Sequence, residues 1–293
     1  MTTRHVTLGL DGSDESAAAA DWAAREALLR DLPLRVLLVR AIPEPPVPPG
    51  PRRAALSAWA EDRTRTEAGR LSLRYPGLRT VREQPAGIPA DVFAEVSAES
   101  ELLVLGSRGL GSVRGFLAGS VAQATVARAH CPVVLVRAAG DPPGGERGGG
   151  PGGDVLAGID PLGPAADVLA FAFRAAELRG VPLRVLAAWQ LPGPYGLYPG
   201  LDPGFTDAEA AECARRLSEA VAPWRDKHPA VAVREIPVHG NAAERLVAEA
   251  ATGVALVVAG RRTRRSRLGA HIGPVAHGLM HHAPTPLAIV PHD

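Results

Sequence analysis

Five consecutive residues, Pro33-Leu34-Arg35-Val36-Leu37, recur unchanged 149 positions later as Pro182-Leu183-Arg184-Val185-Leu186. The same offset carries Asp11 onto Asp160 and Trp22 onto Phe171. An internal duplication constrains a fold more than any single motif, because each half must then bury its own apolar face. The order of elements repeats as well. In each half an alternating apolar strand ends at an Asp, and a helix rich in Ala and Arg leads to a second strand and a Pro-rich loop. A further helix, a third strand, a Gly turn, a helix and a fourth strand ending in Gly follow. The offset then grows, with Gly87 matching Gly240 at 153 positions and Gly106 matching Gly260 at 154. The extra residues fall mainly in the middle loop and helix, where insertion costs least.

Strands alternating with helices call for a parallel sheet covered on both faces. A strand at Val6 to Leu10, a helix at Ser16 to Arg30 and a strand at Leu34 to Val39 open the first such unit. The expected fold class is therefore α/β, with two tandem doubly wound five-stranded parallel-sheet domains of strand order 3-2-1-4-5. The first domain is expected over 1–138 and the second over 154–293. Residues 139–153, with Asp141-Pro142-Pro143-Gly144-Gly145 and Gly148-Gly149-Gly150-Pro151-Gly152-Gly153, read as a Gly/Pro-rich linker with too few apolar side chains to fold. In that strand order the switch point lies between the first and fourth strands, where ligands bind. Asp11 at the end of the first strand is thereby expected beside Gly106 at the end of the fourth.

The run from Leu102 to Gly106 is a short apolar strand that empties into a Gly-rich loop, and Gly119-Ser120-Val121 opens a helix after it. Bare backbone N–H groups and a helix N-terminus then converge on one anion, which makes a phosphate cradle. Two common cradles are excluded. A P-loop requires Gly-Lys-Ser/Thr, and the only lysine of this chain is Lys227. The dinucleotide fingerprint fails because Gly115 follows Gly109-Leu110-Gly111 one residue too late, in a loop that is not the first strand-to-helix turn.

What remains is Gly106, two residues, Gly109, nine residues, then Gly119-Ser120, followed by a last strand over Cys131-Pro132-Val133-Val134-Leu135-Val136. This spacing resembles the nucleotide-binding signature of the ATP-binding branch of the universal stress protein family, and the resemblance covers nearly the whole chain outside the linker. It implies that the first domain binds an adenine nucleotide, ATP with or without Mg²⁺. The implied binding set is Leu10, Asp11, Val39, Gly106, Ser107, Arg108, Gly109, Gly119, Ser120 and Val121. Leu10 and Val39 would flank the base, and Asp11, whose carboxylate repels phosphate, would lie near adenine and ribose. Asp11 also reads as a turn residue before Gly12-Ser13, and Arg108 as either a phosphate ligand or a solvated loop arginine. The resemblance also implies that the last strands, Val133 to Val136 and Leu287 to Val290, meet inside one molecule as an internal pseudo-dimer, free to dimerise again as a homodimer.

The second copy keeps the separation between Gly260 and Gly273 but has Thr263 where the second glycine stands and Pro274 in place of the serine. Pro274 removes an N–H donor, so the nucleotide motif is degraded there. The five arginines within Arg261 to Arg267 read as a solvated face. His277 and His281 have the spacing of a helical metal pair but lack the intervening Glu and any thiolate, so no metal site is expected. No nucleophile elbow or Ser-His-Asp set is visible, so no catalytic residue is assigned and any hydrolysis is expected to be slow. Two alternatives stay open: a scaffold that binds no nucleotide, and an enzyme of adenylate chemistry. The formal charge of +1, from 32 basic and 31 acidic residues, argues against a nucleic-acid surface. No apolar run reaches the ~18 residues of a membrane span, so the cytoplasm is the default compartment.

Overall fold

The computed structural model describes residues 4–41, 51–107, 119–137, 152–190, 203–263 and 272–293. The chain divides into two compact units, Met1–Gly140 and Asp141–Asp293.

The first unit runs β1 (His5–Leu10), α1 (Asp14–Leu29), β2 (Leu34–Leu38), β3 (Arg40–Ala41), α2 (Pro51–Arg74) and β4 (Thr80–Glu83). It continues through β5 (Ala86–Gly87), α3 (Pro89–Ser97), β6 (Ser100–Gly106), α4 (Ser120–Arg128) and β7 (Val133–Val136). β1 pairs in parallel with β2 on one side and β6 on the other, β4 adds to β2, and β7 adds to β6. β3 and β5 form a separate two-residue parallel ladder. The interior strands are buried on both faces, all five residues of β2 among them, whereas edge strand β4 is half-buried to exposed. That contrast is what helices on both faces of a parallel sheet require.

The second unit repeats this with β8 (Asp154–Gly158), α5 (Ala166–Arg179), β9 (Leu183–Trp189), α6 (Pro203–Lys227) and β10 (Val233–His239). After them come α7 (Ala242–Ala250), β11 (Val254–Arg262), α8 (Pro274–His282) and β12 (Leu287–His292). Here β8 lies between β9 and β11, with β10 outside β9 and β12 outside β11, all parallel. Gly153, the last residue of the expected linker, packs within this unit: a Cβ there would stand 2.5 Å from the Gly253 carbonyl oxygen. The rest of that linker up to residue 151 lies outside the described residues.

One packing relation recurs in both units. A Cβ built at Gly9 of β1 would stand 2.5 Å from Leu105 Cδ2 and 2.7 Å from Phe93 Cζ, and one at Gly158 of β8 would stand 2.5 Å from Leu246 Cδ1. Phe93 sits on α3 and Leu246 on α7, so in each unit the same helix drops a large buried side chain onto a bare stretch of the central strand. Burying either is worth ~1.5–3 kcal/mol, and the glycine makes room for it.

Two measurements check this core. Gly9→Ala, which must displace both Leu105 and Phe93, is expected to destabilise the chain by ~1–3 kcal/mol in urea unfolding. Cys131 is buried, and desolvation pushes its thiol up to about 12. Alkylation of native protein by iodoacetamide at pH 9 should therefore leave Cys131 unmodified until denaturant is added.

Candidate nucleotide cleft and its counterpart in the second unit

Because β1 and β6 are parallel neighbours, with Gly9 opposite Leu105, their carboxyl ends lie side by side. β2 departs to one side and β7 to the other, so a crevice opens between them. Leu10 and Asp11 stand on one lip, Gly106 and Ser107 on the other. α4 joins β6 to the parallel strand β7, so it starts at the carboxyl edge of the sheet and presents its N-terminus there.

Leu10 is buried at the end of β1 and lines a cavity of about 50 Å³ with Leu38, Ser13 and Arg63. Val39 follows β2, half-buried. Asp11 is exposed, and its Oδ1 accepts hydrogen bonds from the Ser13 N–H at 2.9 Å and the Ser13 hydroxyl at 2.6 Å. Ser13 in turn caps α1, accepting from the Ser16 N–H at 3.2 Å. The turn reading of Asp11 is thus realised, and it holds the carboxylate at the mouth of the crevice. Gly12 bends the chain with φ of +83°, a region that favours glycine. Arg63 of α2 reaches across this loop and donates to the Gly12 carbonyl at 3.0 Å. No local sequence signal marks Arg63 among the arginines of its helix.

Gly106 ends β6 and pairs with Val136. Ser107 is buried, and its N–H donates to the Val136 carbonyl at 2.7 Å, so this donor is used by the sheet. Arg108 and Gly109 lie outside the described residues. Gly119 is the N-cap of α4, and a Cβ placed on it meets nothing within 4 Å. Ser120 and Val121 form the exposed first turn. The first N–H groups of a helix have no intrahelical acceptor, so this turn offers donors and the positive end of a dipole to an anion. Gly119 faces open space and has an ordinary φ of −58°, so neither packing nor backbone conformation calls for glycine there.

The second unit diverges at the same place. β11 runs two residues beyond Gly260, pairing Arg261 with Pro291 and Arg262 with His292, whereas β6 stops at Gly106. Arg261 is therefore buried, and desolvation lowers its pKa; the run of arginines is not one solvated face. Arg264 to Arg267 lie outside the described residues. Asp160 pairs with Arg262 at 3.2 Å and accepts from the Leu162 N–H at 3.0 Å. Despite the lost glycine and serine, a cavity of about 700 Å³ opens here, between the ends of β8 and β11 and the start of α8. The sequence shows no signal for this volume. His277 and His281 meet with their Nε2 atoms 3.3 Å apart, and among the described residues no group of three or more His, Cys, Asp or Glu side chains could hold a metal ion. Among the described residues no helix is long and apolar enough to cross a membrane.

The sequence pattern of the Universal stress protein family matches residues 2–137 and again 153–291. The chain is 34% identical over 295 residues to the universal stress protein Rv2005c of Mycobacterium tuberculosis, covering 97% of this chain and 96% of that one. It is 30% identical over 301 residues to Rv2623 of the same organism, covering 97% and 95%. A universal stress protein from Archaeoglobus fulgidus has a similar fold, with a TM-score of 0.71 at 16% identity over 100% of both chains. Two matched halves and full-length relatives above 30% identity establish that this chain belongs to the universal stress protein family, as a tandem member with two such domains.

Proposed function

We propose that the first unit binds an adenine nucleotide, ATP above others, in the crevice between the ends of β1 and β6, and that the protein acts in stress response or signalling through occupancy of that site. The observation that carries this reading is the open first turn of α4: exposed Ser120 and Val121 behind a glycine cap whose missing side chain leaves free space. The phosphates lie against that turn, taking its N–H groups and the Ser120 hydroxyl. One helix terminus gives an exposed anion only ~0.3–1 kcal/mol, so affinity also draws on residues 106–109 and on burial of the base beside Leu10 and Val39. Asp11 repels phosphate and accepts from hydroxyl or amine hydrogens, which suits the ribose and adenine end. Where Mg²⁺ accompanies ATP, it travels with the phosphates.

Family membership supports a ligand-binding role over a catalytic one. The sequence shows no Ser-His-Asp set or nucleophile elbow, and in-line attack on a phosphoryl group needs a positioned nucleophile. Binding without appreciable turnover is the expected behaviour.

Gly119→Val tests the site. A β-branched side chain at this cap costs the free protein at most ~1 kcal/mol but blocks the phosphate path. Calorimetry with ATP should show at least a tenfold loss of affinity against a nearly unchanged urea midpoint, and unchanged affinity would remove ATP from this crevice. Asp11→Ala should weaken ATP and adenosine by similar factors, because its contact is on the nucleoside. Rapid phosphate or pyrophosphate release by wild-type protein would favour an enzyme instead, and no thermal shift with ATP a scaffold.

A further inference from the structure

The cavity in the second unit has the position of a nucleotide cleft but, among the described residues, fewer backbone donors at its edge. Pro274 is the first residue of α8 and has no N–H to give. The two-residue extension of β11 carries its backbone into the ladder with β12, and the next N–H, of Thr263, donates to the His292 carbonyl at 2.7 Å. The floor, by contrast, is apolar: Val168, Leu186, Ala188 and Leu246 line it. A cationic group also lines the cavity, the guanidinium of Arg262, the residue paired with His292 in the β11–β12 ladder.

Arg262 is held by Asp160 at 3.2 Å, but the two side chains are 46% and 58% exposed. An ion pair so exposed is worth ~0–1 kcal/mol and exchanges readily for another anion. Asp160 keeps its hydrogen bond from the Leu162 N–H when the guanidinium turns away. A volume of about 700 Å³ lies in the range of sites for small organic molecules.

We propose that this second cleft binds a small ligand with an apolar body and one anionic group, a carboxylate, sulfonate or phosphate monoester, whose charge takes Arg262 from Asp160 while the body lies on Leu186, Ala188 and Leu246. The ligand is distinct in class from the polyanion assigned to the first unit, and the proposal does not depend on that assignment.

Two fluorescent probes on the full chain test it: 8-anilinonaphthalene-1-sulfonate, apolar with one anionic group, and N-phenyl-1-naphthylamine, its neutral counterpart. Both should bind, the anilinonaphthalenesulfonate saturably at one site per chain. Arg262→Gln should weaken the sulfonate ~10-fold and the neutral probe less than twofold. Ala188→Trp, which fills the cavity, should weaken both at least tenfold; if that variant fails to fold in urea titration, the Arg262→Gln contrast decides alone. Failure of both probes to bind, equal effects of Arg262→Gln on the two, or one-for-one displacement of the sulfonate by ATP would overturn the proposal. If ATP binds nowhere on the chain, the nucleotide assignment falls and this one is still judged by the probe contrast.

Discussion

The close approach of a helix to a bare stretch of central strand, Phe93 over Gly9 and Leu246 over Gly158, is the contact on which each unit is organised. The glycine stands two residues before Asp11 in one unit and two before Asp160 in the other, so the same contact that seats α3 or α7 lies just below the lip of the crevice. A side chain at that point would stand within 3 Å of these buried side chains, so one or the other must shift. Because interiors are close-packed, the displacement would not be absorbed locally. The site in each half is thus built on a packing constraint rather than on loop residues alone.

From that common base the two clefts separate over a few residues. In the first unit β6 stops at Gly106, and the cap of α4 is a glycine followed by a serine. In the second, β11 continues through Arg262 and α8 begins with Pro274. Two more residues of ladder engage backbone donors and one proline removes another, and among the described residues the cavity is lined by apolar side chains together with Asp160, Arg262 and His292. The two units share the fold and the position of the cleft, and differ in the described residues that line it.

Much of this was legible in the residues. The offset of 149 positions exposed the duplication, and the alternation of strands and helices led to parallel sheets. The same offset links Gly9 to Gly158, and the later one of 153 links Phe93 to Leu246, yet neither pair stands out before folding. A glycine in a strand and an aromatic in a distant helix leave no local pattern, because their relation exists only across the sheet. The extension of β11 was hidden for the opposite reason: Arg261 and Arg262 look like solvent-facing residues, and only pairing with Pro291 and His292 makes them strand. The β3 and β5 ladder is two residues long, too short for any periodicity to show. Asp11 carried two compatible readings, and the turn it makes with Ser13 is also what orients its carboxylate.

The central claim is that one crevice per chain, in the first unit, holds the adenine nucleotide. A crystal structure of the full chain grown with a slowly hydrolysed ATP analogue tests it most directly. The account predicts nucleotide density between Asp11 and the first turn of α4, with the phosphates toward Gly119 and Ser120 and no nucleotide in the cavity beside Arg262. Nucleotide in the second cleft, or an unoccupied first crevice at saturating analogue, would contradict it.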